Sequence, residues 1–394
     1  MTPAELRALF PATREYAWLN AAASSPTSTP VREAMQAFLD DTTRQGDVHY
    51  PAWAKAKDLT RTHLARFLNC ATTELAITQS TSFGFHVIAQ LLKQRGVSEV
   101  LTLESEFPST TLPLLHDGLT LRGVRMRADQ TVTLGDVEAA LTPRTGAIAV
   151  SAVQFASGFR VDLASVSRLC RDRKLLFIVN AAQGLGHVPL DVKALDADFL
   201  AATSHKWLWA GYGTGVLYVR KAILDESRLP FAGWLSVEPH EQFQAWVHAT
   251  RTDDATGFTA VGAKFRSEAS ALEVGGGSFL NFIALDAALG MHEAVGGPSV
   301  VLAHDQRLQL QLRAGLRQRG FKPTTPDDLA QLSGICVIPI QGAPIDAVRA
   351  LLRDEKVATS ARGGGLRIST HVYNDESDVE RCLAAIDRLG IKPG

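Results

Sequence analysis

The sequence predicts an α/β protein, with a mostly parallel sheet in a large domain and a smaller α+β domain at the C-terminus. Three observations lead there. Short β-rich runs alternate with amphipathic helical runs through the first two thirds, the pattern of strands joined by crossover helices. The 394 residues exceed the roughly 250–300 at which a single core stops growing, so a second unit is expected. The composition, 46% hydrophobic and 21% charged, is that of an ordinary globular chain rather than a disordered or membrane-spanning one.

Taken in order, "ELAIT" (74–78) reads as a strand and "SFGFHVIAQLLKQRG" (82–96) as the helix after it, ending at Gly96. "EVLTLE" (99–104), "TGAIAVSAV" (145–153) and "LLFIVNAA" (175–182) read as further strands, with the helix "SVSRLCRDRK" (165–174) before the last. "ADFLAATS" (197–204) and "TGVLYVR" (214–220) complete the set. The stretch 230–258 loosens into an expected surface or subunit-contact segment. A long helical region begins near Leu280, and the chain closes on the helix "ESDVERCLAAIDRLG". The expected division is an N-terminal arm at 1–25, a large domain at 26–285 and a small domain at 286–394. In such a sheet the ligand sits beyond the carboxyl ends of the strands.

Lys plus Arg is 40 and Asp plus Glu is 41, a formal net charge of −1. With no basic run carrying interleaved aromatics, neither nucleic acid nor an anionic membrane is an expected partner. Cys70, Cys170, Cys336 and Cys382 are scattered and form no CxxC or Cys/His cluster, so no metal site is expected and the thiols read as reduced. The opening "MTPAELRALFPATREY" carries acidic residues and no apolar core, and no apolar stretch nears the roughly 20 residues of a membrane span. A cytoplasmic location is the expectation.

The chemistry-bearing residues collect after strands. "IVNAAQG" ends a buried run in Asn180 and Gln183, and "TSHKW" puts Lys206 directly after another strand, ahead of the glycine-rich turn "GYGTG". "YAWLNAAASSPTSTPVREAM", "NAAQGLGHVPLDV…DADFLAATSHKWLWAGYGTGVLYVR" and "GLRISTHVYNDESDV" together resemble, in order and nearly end to end, the class V aminotransferase family. Its members are pyridoxal-phosphate (PLP) enzymes of fold type I, among them cysteine desulfurases and isopenicillin epimerases. The resemblance implies PLP as cofactor, a homodimer, and a small-molecule amino-acid substrate.

Residue by residue, the resemblance assigns Lys206 the Schiff base with the PLP aldehyde and the acid-base work at the substrate α-carbon. Thr81 and Ser82, at the helix start in "TQSTSFGFH", match the phosphate-binding pair, and Ser204 and His205 its second contact. A plain N-cap would account for the Ser/Thr cluster taken alone. Phe107 stands where a ring, often His, stacks on the cofactor. Gln183 matches the partner of the PLP phenolic oxygen. Gln154 matches a position facing cofactor and substrate carboxylate, Arg367 matches the arginine that clamps that carboxylate, and Arg362 is a second candidate. His49, Tyr50 or Trp53, in "GDVHYPAW", are further candidates for the substrate pocket.

Three departures stand out. Asn180 replaces the aspartate that salt-bridges the pyridine nitrogen, and an amide cannot neutralise a pyridinium. The lost charge-assisted bond amounts to roughly 1.5–3 kcal/mol. A weaker electron sink handicaps transamination more than β-elimination, where the departing group drains the electrons. In "EVGGGSF", Gly276 replaces a threonine that reaches the neighbouring subunit's phosphate, leaving Ser278 or backbone amides to substitute. The stretch "VATSARGGGLR" lacks the nucleophilic cysteine of desulfurases, so persulfide-forming desulfurase activity is not expected. The leading reading is a class V aminotransferase-like enzyme working through Lys206. The alternative is a PLP-dependent lyase (β-elimination, C–S lyase-like) or epimerase, and the third reading is a catalytically silent binding protein.

Overall fold

Seven strands make the central sheet, and their order places the lysine-bearing loop. They are β1 (Leu75–Thr78), β2 (Glu99–Leu103), β3 (Thr120–Val124), β4 (Thr145–Ser151), β5 (Leu176–Asn180), β6 (Phe199–Thr203) and β7 (Gly215–Val219). In this computed structural model, which describes residues 1–238, 251–254, 257–259 and 264–394, the spatial order is β1-β7-β6-β5-β4-β2-β3. From β6 through β3 every pairing is parallel. β7 runs against both of its neighbours, so it alone opposes the other six.

Along β5, Phe177 and Val179 face one core and Ile178 the other, and β6 repeats this with Leu200 and Ala202 against Phe199 and Ala201. A sheet covered on both faces needs such continuous apolar runs, which is why those strands are plain in the sequence. β3, "TLRGV", is the exception. It is a largely exposed edge strand with no apolar run, and the sequence reading lacks it.

The helices that matter for the site are α1 (Thr29–Gln45), α2 (Tyr50–Leu68), α3 (Thr81–Gln94), α4 (Pro108–His116), α5 (Leu163–Arg173) and α6 (Phe279–Val295). α6 packs on α1 and α2, while α3 lies against β6 and β7. The C-terminal unit holds α7 (Gly297–Gln318), β8 (Ile335–Ile338), α8 (Ile345–Asp354), β9 (Ser360–Arg362), β10 (Gly365–Ser369) and α9 (Glu376–Arg388). Its antiparallel sheet, in the order β8-β10-β9, covers a third core containing Leu308, Leu312, Ile368 and Ile386. The architecture is thus a large α/β domain with a partly parallel sheet and a smaller α+β unit.

Near the N-terminus, Ala17 and Trp18 pair with Val357 and Ala358, and Asn20 bridges to Ser369, so this segment ties into the C-terminal unit. The expected contact segment at 230–258 lies in part outside the described residues. Among the described residues no helix is long and apolar enough to cross a membrane.

Candidate active site

The register of the sheet gathers the polar residues at one edge. Ser151 at the end of β4 pairs with Asn180 at the end of β5, and Thr203 at the end of β6 pairs with Gly215, as does Thr78 of β1. Beyond these ends opens a cavity of about 390 Å³. Its walls include Thr81 and Ser82, Phe107, Asn180 and Gln183, His205 and Lys206, and Arg362 and Arg367. Residues from five separate stretches of chain therefore meet in one place, as the resemblance requires. A larger cavity of about 630 Å³, walled mainly by Leu134, Val137, Val161 and Val188, lies apart from these groups.

Lys206 sits in the turn from β6 to β7. Ser204 Oγ staples that turn by donating to the carbonyls of Gly211 (2.9 Å) and Thr214 (3.0 Å). Gly186 makes room for the lysine's neighbour. Its φ is +98°, and a Cβ there would stand 2.4 Å from the Trp207 carbonyl oxygen, so no side chain fits. That carbonyl accepts from His292 Nε2 (3.0 Å) and His371 Nε2 (3.1 Å), while the Trp207 ring stacks on His187 at 3.9 Å. Burial holds His292 near 3 and His371 well below its usual range, which keeps both neutral and able to donate from Nε2. Trp209 takes the left-handed conformation, φ +44°, and stacks on His292 and His371. Packing on this scale offsets backbone strain of about 1–3 kcal/mol.

Lys206 Nζ lies 5.6 Å from the centre of the Phe107 ring. Burial, then the charges of Arg367 and Arg362, lower its amine to about 7. At neutral pH about half of such an amine is unprotonated and nucleophilic. Phe107 is set by the chain locally: Pro108 opens α4 at its first position, fixing Phe107 as the extended N-cap residue. Phe155 packs edge-on against it at 5.0 Å.

The other walls carry an anion cradle. Ser80 caps α3 by accepting from Phe83 N (3.2 Å), so the first-turn N–H groups of the helix face the cavity end. Thr81 Oγ1 is buried and has no partner. His205 stacks on Tyr212 at 4.3 Å, and its Nδ1 meets Thr203 Oγ1 at 2.8 Å. Burial, then the charge of Lys206, bring His205 to about 4, so it is neutral. Three basic side chains, Lys206, Arg362 and Arg367, face this space, and among the described residues no carboxylate lines it. An orphaned hydroxyl and unneutralised cations at a helix start fit a group bearing a phosphate, with charge to spare for a substrate carboxylate.

Asn180 and Gln183 are committed by their neighbours. Asn180 Oδ1 accepts from Ala182 N (2.9 Å), a group that can only donate, and Nδ2 donates to Thr110 Oγ1 (2.6 Å). Gln183 Oε1 accepts from Trp207 Nε1 (2.7 Å) and Nε2 donates to the Ala22 carbonyl (2.9 Å). Each amide keeps one N–H for the cavity. Arg367 is 2% exposed. Its Nε donates to Ser360 Oγ (3.1 Å) and its Nη1 to the Phe155 carbonyl (2.9 Å), which leaves Nη2 for a ligand. Burial, then Arg362, depress it to about 9. Arg362 is more exposed and donates to the Ala361 carbonyl.

Three expected residues do not line the cavity. Gln154 is fully buried behind the wall, where Nε2 donates to Glu106 Oε1 (2.8 Å) and Oε1 accepts from Ser105 (3.2 Å). Ser204 has its hydroxyl turned to the loop carbonyls. Ser278 caps α6 by accepting from Asn281 N and faces a neighbouring cavity of about 470 Å³ beside Thr78 and Gln79. The 46–53 segment also stays away: His49 and Trp53 both bond Asp41. Sequence reasoning missed Thr203, Tyr212, Ser109, Ser151 and Phe155 as walls, and Glu106 and Thr110 behind them. Ser151 was the findable one, since it ends a buried strand beside the strand of Asn180.

Sheet topology and cradle together define a PLP-dependent enzyme of fold type I, with PLP as its cofactor. More particularly, the chain belongs to the class-V aminotransferase family, whose sequence model it matches over residues 17–382. It is 26% identical to a probable cysteine desulfurase of Methanothermobacter thermautotrophicus across 96% of both sequences. The apo structure of a cysteine desulfurase from Thermococcus onnurineus superposes with a TM-score of 0.86 at 24% identity, covering 99% of this chain and 98% of that one. A cystine C–S lyase in complex with its product cysteine persulfide gives 0.82 at 20%, covering 95% and 98%. At those identities both structures speak to the fold.

The relatives correct one expectation. The expectation, drawn from the cysteine-free stretch 357–367, that desulfurase activity is absent is overturned: a relative matching across 96% of both sequences is named a probable cysteine desulfurase. The physical reason is that a thiol on that loop concerns which group accepts the sulfur, whereas breaking the C–S bond needs only the α-carbon chemistry. Cys170, Cys336 and Cys382 are buried in the cores and Cys70 is half-buried, all away from the cavity.

Proposed function

We propose that this enzyme cleaves the C–S bond of a cysteine-type amino acid, with lyase chemistry ahead of transamination. One observation carries this reading: among the described residues the cavity walls include no carboxyl group and a single histidine, His205, which is held neutral at about 4. An oxygen or nitrogen leaving group needs a proton as it departs, whereas sulfur leaves readily as a thiolate or persulfide anion. The walls favour such an anion, since their charges are all positive. The names of the full-length relatives support the same choice of bond.

Bound PLP supplies an aldehyde that captures the substrate amine and a ring that draws electrons from the α-carbon. Arg367 Nη2 orients the substrate carboxylate, and Phe107 with Phe155 walls off water from one side. Lys206 Nζ, its pKa depressed to about 7, would take the α-proton. The Cβ–S bond then breaks with its electron pair on sulfur. The three-carbon remainder leaves as aminoacrylate, which water hydrolyses to pyruvate and ammonia. Where an added thiolate attacks the substrate sulfur instead, an S–S bond forms as the Cβ–S bond breaks with its electron pair on carbon, and protonation there gives alanine and a persulfide.

The test is a product assay with L-cystine, and with L-cysteine plus an added thiol, measuring pyruvate, ammonia, alanine and sulfane sulfur. Sulfur release with pyruvate or alanine, absent in Lys206→Ala, supports the reading. Conversion of bound PLP to pyridoxamine phosphate with no sulfur released would refute it.

A further inference from the structure

Glu106 is a buried carboxyl group directly behind the wall, on the turn between β2 and α4, and no step above uses it. It is 7% exposed. Its Oε1 accepts from Ser151 N (2.7 Å) and Gln154 Nε2 (2.8 Å), and its Oε2 from Ser151 Oγ (2.5 Å) and Thr110 Oγ1 (3.4 Å). The backbone N–H of Ser151 can only donate, and the Gln154 amide is oriented by Ser105. Four donors converging on two oxygens are the surroundings of a carboxylate. Burial raises its pKa above the usual carboxylate value, an upward shift that the bonds from Ser151, Gln154 and Thr110 offset in part.

Thr110 is the link outward. Its oxygen accepts the Asn180 Nδ2–H at 2.6 Å, which leaves its hydroxyl proton to point toward Glu106 Oε2, 3.4 Å away. With Ala182 N–H fixed on Oδ1, the Asn180 amide cannot flip without setting two like groups against each other. We propose that Glu106 is a positioning residue that supports a protonated cofactor ring through Thr110 and Asn180, the negative charge standing two hydrogen-bonded residues behind the ring nitrogen instead of against it. Asn180 Oδ1, polarised by this relay and with one lone pair taken by Ala182 N, would have its second lone pair to offer a ring N–H. This rests on the assignment of Asn180 to the ring nitrogen, and is independent of which substrate bond is broken.

At three hydrogen bonds' remove, and with an effective dielectric near 20, losing the charge lowers the ratio of protonated to neutral ring by roughly ten- to fifty-fold. The experiment is solid-state NMR of holoenzyme loaded with ring-15N PLP, without substrate. Glu106→Gln is expected to move the ring nitrogen resonance toward neutral pyridine. Thr110→Val, which spares Glu106 and its other three donors, should move it the same way, and Thr110→Ser should restore the wild-type position. If Glu106→Gln fails to fold, the Thr110 pair decides alone. A resonance unchanged in Thr110→Val, or equally shifted in Thr110→Ser, overturns the inference whatever the product assay shows.

Discussion

The lowered Lys206 amine has a consequence for stability that can be measured without any substrate. In the cofactor-free fold its pKa falls from 10.5 to about 7, through burial first and then Arg367 and Arg362. Between those two values the unfolded chain binds more protons than the folded one, so stability rises with pH across the window and the gain is complete only above 10.5. From pH 6 to pH 9 this group alone adds about 2–3 kcal/mol. Lys206→Met has nothing to titrate there. The variant should therefore exceed the wild type most at pH 6, and its advantage should shrink by about that amount by pH 9. Urea unfolding of both apoproteins at pH 6, 7, 8 and 9 reads the difference, in a buffer free of phosphate, which would pair with the amine. A stability gap that does not change with pH would refute the depressed amine, and with it the supply of free nucleophile at neutral pH.

Asn180→Asp should raise the ratio of pyridoxamine phosphate to pyruvate by restoring a full charge near the ring, although the Thr110 hydroxyl must then turn from Glu106 toward the new carboxylate; a ratio unchanged or lower counts against the weak-sink account. Thr81→Val removes the partnerless buried hydroxyl and should weaken PLP affinity about tenfold or more, as loss of one charge-assisted bond implies, while equal affinity would mean the hydroxyl does not meet the phosphate. Arg367→Leu should raise KM for amino acids far more than for the corresponding decarboxylated amines. His292→Phe keeps a ring against Trp209 but strips one donor from the Trp207 carbonyl, and should cost about 1–3 kcal/mol in thermal or urea unfolding.

The fold was legible where burial writes long apolar runs. β1, β2 and β4 to β7 could be read because each is covered on both faces, and the edge strand β3 could not because "TLRGV" is mostly exposed. Within the site, residues whose side chains enter the cavity straight from a strand end or helix start were readable: Asn180, Lys206 and Thr81. Residues reaching it by way of a partner were not. Gln154 looks like a ligand contact in the sequence, yet its amide is held by Glu106, and Ser204 spends its hydroxyl on the loop that carries Lys206. Nothing in "ESEFPST" announces that the second glutamate turns inward. That depends on Ser151, 45 residues further along, presenting a backbone N–H to it.

Phe107 and Asn180 are best understood as a pair. Each occupies a place where the family pattern has a titratable group, and each leaves a neutral one. The result is a cavity walled by Lys206, two arginines and the neutral His205, while the buried His292 and His371 hold the Trp207 carbonyl of the lysine-bearing turn. On the proposed reading, a second carboxylic acid facing the ring would protonate a departing oxygen or nitrogen; the described walls carry none, which favours groups that leave as anions. Keeping the carboxylate of Glu106 behind Thr110 serves the same end. It lends the ring part of a negative charge without placing in the cavity a base that would compete with Lys206 for the α-proton. Moving that charge forward in Asn180→Asp should thus widen the reactions available, while removing it in Glu106→Gln should slow them all.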